Sequence, residues 1–263
     1  MTKTIILENT HNKLEISTFG AQVLSWESFV NKAWVNILYT GSSSKRSGIP
    51  VLFPFANPLE NDIFLKTGAK MTQHGFARNS EWNLIEASQE KVILSLNFND
   101  LDQVFKSAFP FPFDLSLEVK LNQNNSIDYT LTLKNLGEFE MPIAPGIHPY
   151  FSLDHGDKPS LKIKEIPQFS AQAFPWNTQL FGEFYPFKKE IRASFPDYDL
   201  NISEISQNPD CQFLVIWSQN QTEIDHDFVC LEPFYRQTNA LNTNPILVKP
   251  GQIWTAGFRF LVR

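Results

Sequence analysis

Strict alternation of apolar and polar residues is what most limits the fold open to this chain. Val92, Leu94, Leu96 and Phe98 are interleaved with Ile93, Ser95 and Asn97, and Phe113, Leu115, Leu117, Val119 and Leu121 with Asp114, Ser116, Glu118 and Lys120. A period of two sets successive side chains on opposite faces of an extended strand, so that one face meets a core and the other water. Asn122 to Asn125 supplies turn residues, after which Ile127, Tyr129, Leu131 and Leu133 resume the alternation, and together these predict a β-hairpin with long arms. No segment carries an apolar repeat of 3.6 residues over three turns, and Asp100 to Lys106 is the one modest helix candidate. The expected fold class is all-β.

The remaining segments follow the same habit. Thr4 to Glu8, Lys13 to Thr18, Ala21 to Trp26 and Trp34 to Tyr39 are short and apolar-rich, divided by turn formers. Leu161 to Ile166, Phe187 to Ala193, Phe213 to Trp217, Phe228 to Leu231 and Trp254 to Val262 read as strands between Pro-, Asn- and Asp-rich connections. About fifteen or more strands with no repeat of fixed period disfavour a propeller and predict a large antiparallel β-sandwich, two sheets packed face to face. No Gly/Ser/Pro-rich linker or charge run divides the 263 residues, so one domain over 1–263 is expected.

A formal net charge of -6, with Lys and Arg scattered rather than blocked, argues against nucleic-acid partners, whose phosphates need a basic footprint. No stretch reaches the roughly 18 to 20 apolar residues of a membrane helix, and the start, MTKTIILENTHNKLE, turns polar after Leu7, unlike a signal peptide. Cys211 and Cys230 stand outside any CxxC or metal-ligand pattern and read as buried free thiols. A soluble cytoplasmic protein with no membrane partner is expected; oligomeric state is not legible.

Arg46 to Trp82 is the stretch richest in chemistry. Ile49 to Phe55 is too short and too proline-bounded for a helix and reads as a buried strand. It leads into a long loop, up to Gln73, whose Phe53, Phe55, Leu59, Phe64 and Leu65 indicate packing rather than disorder. Of the five histidines, His11, His155 and His226 sit among turn formers and read as solvated. His74, in Gln-His-Gly-Phe-Ala-Arg, and His148, in Ile-His-Pro-Tyr-Phe, have apolar or conformationally fixed neighbours. Each is open to two readings, a hydrogen-bonded core histidine or a group tuned for proton transfer. Glu232, in the apolar run Phe-Val-Cys-Leu-Glu-Pro-Phe, is a costly carboxylate unless it is paired or used. The 24 Phe and 6 Trp suit a sugar site, though most of them must fill the core.

The runs RSGIPVLFPFANP, QHGFARNSEW, GIHPYF and VCLEPF, then TNALNTNPILVKPGQIW, resemble the aldose 1-epimerase (galactose mutarotase-like) superfamily from end to end. The resemblance implies a galactose mutarotase-type sandwich that interconverts α and β anomers of an aldose. Gln73 to Asn79, with Arg46 before Gly48-Ile49-Pro50, looks like the hexose-6-phosphate branch, in which arginines at the places of Arg46 and Arg78 serve a phosphate. Phe53 to Asn57 looks like the general aldose branch and suggests Asn57 as a sugar contact, but Pro58 stands where that motif continues with arginine. The superfamily's substrate-binding aspartate has no motif here, and Asp197, Asp199 and Glu183 remain open for that place.

By the same resemblance Glu232 is the base, His148 the acid, and His74 a second donor that orients the sugar. An ordinary carboxylate is ionised at neutral pH and an ordinary histidine can hold a proton there, so the residue chemistry agrees. No cofactor and no metal are called for: neither a phosphate-binding Gly loop nor a metal-ligand cluster is present in the sequence. The partner expected is a small sugar or sugar phosphate. The alternatives are a non-catalytic carbohydrate-binding protein of the same fold, against which the retained acid and base speak, and a glycoside hydrolase, which ordinarily needs two carboxylates.

Overall fold

The computed structural model describes residues 2–42, 46–177, 182–208 and 210–263. Two antiparallel sheets dominate. The larger has eight strands in the order Lys162–Ile163, Glu190–Ser194, Asp199–Glu204, Ile253–Val262, Ser126–Asn135, Phe113–Leu121, Lys91–Asn97 and Asn83–Ala87. The smaller runs Glu183–Pro186, Phe213–Trp217, Phe228–Phe234, Gly146–Ile147 and Val51–Leu52, with Tyr150–Ser152 also paired to Phe228–Phe234. A four-stranded sheet of Thr4–Glu8, Asn12–Ser17, Val23–Val30 and Ala33–Asn36 packs into the same core.

Register explains which face each side chain takes. Leu115, Leu117 and Val119 lie opposite Leu133, Leu131 and Tyr129 on one side and Leu96, Leu94 and Val92 on the other. All are buried, while Ser116 and Glu118 between them are half-buried and the flanking Asp114 and Lys120 are exposed. These residues share one continuous cluster with Leu214, Ile216, Val229 and Leu231 of the smaller sheet, so the inner faces of the two sheets meet there. The strand Phe228–Phe234 is buried along its whole length, on both faces. Its odd positions up to Leu231 enter the core; its even positions, Phe228, Cys230, Glu232 and Phe234, face away from it.

The all-β architecture and the hairpin follow the sequence pattern. The expected helix is displaced to Gln103–Ala108, and a second short one, Ala240–Thr243, carries too few residues to show a period. The long loop is packed, as Phe55, Leu59 and Phe64 are buried, and holds a small hairpin, Ile63–Phe64 with Ala69–Lys70. Leu65 is 70% exposed at its tip, contrary to the packing expected of it. Cys211 and Cys230 are free and buried. Among the described residues no helix is long and apolar enough to cross a membrane.

His155 and His226 depart from their solvated reading. Their rings meet edge to face at 5.8 Å, and Lys158, 0% exposed, brings Nζ to 3.0 Å from His155 Nδ1 and donates to the His226 carbonyl at 2.6 Å. Local sequence marked two surface turns; contact between turns so distant in the chain, which half-buries both rings, has no local signature. His11 is likewise half-buried.

Candidate active site

The outward face of the smaller sheet floors a cleft of about 510 Å³, within the range of small-ligand sites. Glu232 lies opposite Val215, and Cys230 lies opposite both Trp217 and, on the other side, Tyr150. Partners directly across a sheet share a face, so this register puts Glu232, Trp217 and Tyr150 on one surface, with His148 two residues before Tyr150. His148 Nε2 stands 3.4 Å from Glu232 Oε2, the two residues being 6% and 3% exposed. The imidazole lies flat on the Tyr150 ring, 4.6 Å between centroids and 6° between planes, and meets the edge of Trp217 at 6.0 Å. These contacts fix the plane in which its nitrogens lie.

Two loops complete the cleft. Residues 53–56 run beside 75 and 144, through bridges Phe53 to Gly75 and Phe55 to Ala144. Phe53 O accepts from the amides of Phe76 and Ala77. A Cβ on Gly75 would fall 2.2 Å from that oxygen, and the residue has φ +66, so glycine is required after His74. His74 itself has φ 75, a region that non-glycine residues seldom occupy and that tends to be retained at functional sites. It approaches His148 edge to face at 5.5 Å, and its Nδ1 is 2.6 Å from the Ala56 carbonyl. A carbonyl only accepts, so Nδ1 carries the proton and Nε2 of the neutral ring is an acceptor.

Electrostatics revise the expected proton inventory. Burial, then the Arg78 charge, pushes His74 down to about 4, with the Ala56 hydrogen bond partly opposing. Burial, followed by His74 and Arg78, holds His148 well below the ordinary histidine range. Burial also drives Glu232 well above the carboxylate range, against which Arg78 acts. The expectation of an ordinary ionised carboxylate beside an ordinary protonated histidine therefore does not describe this buried pair. The low-dielectric floor favours an uncharged pair with the proton on Glu232, and His74 is an acceptor there rather than a second donor.

The other sequence candidates fall at different distances from this floor. Asn57 lines the cleft, its Nδ2 donating to Arg236 O at 2.9 Å, and Pro58 lines it too. Arg46 sets its guanidinium carbon 5.8 Å from the Trp217 ring centre. Arg78, in the turn Ala77–Asn79, acts electrostatically on His74, His148 and Glu232 alike. The three open carboxylates do not line the cleft. Asp197 lies in a separate surface pocket, Asp199 in a strand of the larger sheet, and Glu183 is exposed and accepts from Tyr185 at 2.7 Å. Tyr150, Trp217, Phe184, Gln73 and Thr238 line the cleft and were not singled out. The aromatic count hinted at the first three, but only strand register shows which rings face away from the core.

Among the described residues, His148, Cys230 and Glu232 form the one group whose ligand-type atoms lie close together, within 4.8 Å. Burial pushes the Cys230 thiol well up, away from the thiolate that a metal would need. The arrangement suits proton exchange between a carboxyl and an imidazole better than cation binding.

The architecture is that of galactose mutarotase-like proteins. The crystal structure of a protein from Synechocystis sp. PCC 6803 superposes with a TM-score of 0.83 at 26% identity, covering 99% of this chain and 95% of that one. A galactose mutarotase related enzyme from Lactobacillus acidophilus gives 0.79 at 21% identity over 99% and 97%, a likeness of fold. The chain matches the aldose 1-epimerase family over residues 3–261 and belongs to it. An Escherichia coli protein named "Putative glucose-6-phosphate 1-epimerase" is 26% identical over 154 residues, 57% of this chain and 48% of that protein, so the match spans about half of that relative. Protein LacX of Lactococcus lactis is 29% identical over 216 residues, 75% of this chain and 69% of that protein.

Proposed function

We propose that this protein interconverts the α and β anomers of an aldohexose, acting as one domain in the cytoplasm, and that it turns over hexose 6-phosphates more efficiently than free hexoses. The observation that carries the reading is the approach of His148 Nε2 to Glu232 Oε2, 3.4 Å apart on the buried floor of a sugar-sized cleft. Ring opening removes the proton from O1 and delivers one to O5. The C1–O1 bond becomes a carbonyl as C1–O5 breaks, leaving an aldehyde and a C5 hydroxyl. Rotation about C1–C2 presents the other carbonyl face, and the reverse transfers close the ring.

One proton shared by Glu232 and His148 meets this demand, since the group that holds it donates and the other accepts. Burial by itself favours the proton on Glu232. A bound sugar brings hydroxyl donors to the carboxylate and the Arg78 charge adds to them, so in the complex Glu232 is the base and His148 the acid. His74 accepts a sugar hydroxyl at Nε2, and Tyr150 and Trp217 offer faces to the ring's C–H surface.

Arg46 and Arg78 support the 6-phosphate preference, because guanidinium groups grip phosphate oxygens in bidentate fashion, as does the name of the Escherichia coli relative. Anomerisation of α-glucose and α-glucose 6-phosphate, followed by NMR, tests both parts. Catalysis of both with the phosphate favoured is expected. No acceleration of either over buffer removes the activity, and equal efficiency removes the preference.

A further inference from the structure

The acidic turn 225–227 reads from sequence as a solvated loop, yet Asp225 is only 7% exposed. Its carboxylate is spent on a segment far away in the chain. Oδ1 accepts from the Ser42 amide at 2.7 Å, from Ser42 Oγ at 3.0 Å and from the Tyr39 hydroxyl at 3.1 Å, and Oδ2 also accepts from Ser42 Oγ at 3.1 Å. Burying a charge is costly, and charge-assisted hydrogen bonds are what offset it. Burial, and then Asp225, pushes the Tyr39 hydroxyl up to about 12, so it remains a donor at neutral pH.

The segment so gripped packs against the backbone of Arg46. A Cβ on Gly41 would stand 2.9 Å from Asp225 Oδ1, 2.9 Å from Arg46 O and 2.9 Å from the Tyr39 ring, so the four residues are packed without space for one more carbon. Gly48 N donates to Tyr39 O at 3.2 Å, and Tyr39 N to Tyr150 O at 2.9 Å, which ties the same segment to the cleft floor. The Arg46 guanidinium then lies against Trp217, whose ring packs on Phe228 at 5.6 Å. Neither Asp225 nor Arg46 is among the residues that line the cleft; Arg46 adjoins it through Trp217, which is.

We propose that Asp225 is a positioning residue for Arg46: by fixing residues 39–42 it holds the guanidinium at the Trp217 edge of the cleft, and so sets the preference for an anionic group on the sugar. The inference rests on the reading of Arg46 as a phosphate contact.

A double-mutant cycle tests it. Asp225→Ala should raise KM for glucose 6-phosphate about tenfold, the loss of roughly one charge-assisted contact, with kcat and the constants for free glucose within about twofold. Arg46→Ala should lose the same discrimination, and Asp225→Ala added to Arg46→Ala should cost nothing more. Equal losses on both sugars, or additive losses in the double variant, overturn the proposal. Hydrogen exchange at the Ser42 amide should quicken in Asp225→Ala and stay near wild type in Asp225→Asn, which keeps an acceptor oxygen; unchanged exchange in both overturns the grip itself. Calorimetric binding of glucose 6-phosphate repeats the cycle without turnover. A wild type that binds the ligand, shows the cycle and does not epimerise it removes the proposed activity and upholds the role of Asp225, whereas a wild type that does not bind it overturns this inference.

Discussion

Two strands of similar apolar character, Phe113–Leu121 and Phe228–Phe234, use their two faces differently. The first sets its odd residues in the core and its even ones toward solvent, and its sequence alternates accordingly. The second has the core on one face and the cleft floor on the other, and its residues are buried on both, so it reads as an apolar run interrupted by Glu232. On the solvated face a charge costs little. On the cleft floor the Glu232 carboxylate is forced up in pKa by burial, a cost that the proposed role as proton acceptor would account for. A polar residue therefore signals function by the environment it interrupts.

The sharpest way to break this contrast is Glu232→Gln. The rate should fall on the order of 100- to 10,000-fold, as for loss of a positioned acid or base. The fold should gain stability at neutral pH, with Tm rising by about a few degrees. The sign follows from the raised pKa of Glu232 in the folded state: the folded protein holds that proton above the pH at which the unfolded chain releases it, so stability drains as pH rises toward neutrality, and a neutral amide removes the loss. A variant less stable than wild type by calorimetry at pH 7, or one with wild-type rate, would sink the comparison.

His74 tests the same desolvation with the opposite charge. In the folded protein it stays neutral down to about 4, against 6.5 for an unfolded histidine. Between those values the unfolded chain binds more protons, so stability present above pH 6.5 is lost as pH falls toward 4, by at most about 3 kcal/mol. His74→Asn, which tolerates the left-handed backbone, should lose less stability than wild type between pH 7 and pH 4 in urea titrations. Parallel losses would mean that the imidazole is not desolvated as described.

The smallest effect belongs to the outward, solvated face of the other strand. Leu117→Ala, at a fully buried position, should cost about 2 to 5 kcal/mol with kcat retained, whereas Glu118→Gln beside it should stay within about 0.5 kcal/mol. Chemical unfolding of both proteins reads the difference. A costly Glu118→Gln would show that the outward face is not the solvated one.

Local sequence was sufficient for much of this. The period of two from Val92 to Leu133 determined antiparallel β structure and the hairpin, because side-chain alternation is a property of each strand alone. Motif likeness singled out His74, His148 and Glu232, and the isolation of Glu232 in an apolar run was visible without any partner. What only the tertiary structure decided is which face of Phe228–Phe234 looks into the cleft, which rings join it there, and where the protons rest. Opposing strands arrive from distant parts of the chain, as Tyr150 and Trp217 do against Cys230. A pKa is set by surrounding dielectric and neighbouring charge, neither of which exists until those segments pack, and so the low-pKa acceptor His74 could not be told from a proton donor in its own heptapeptide.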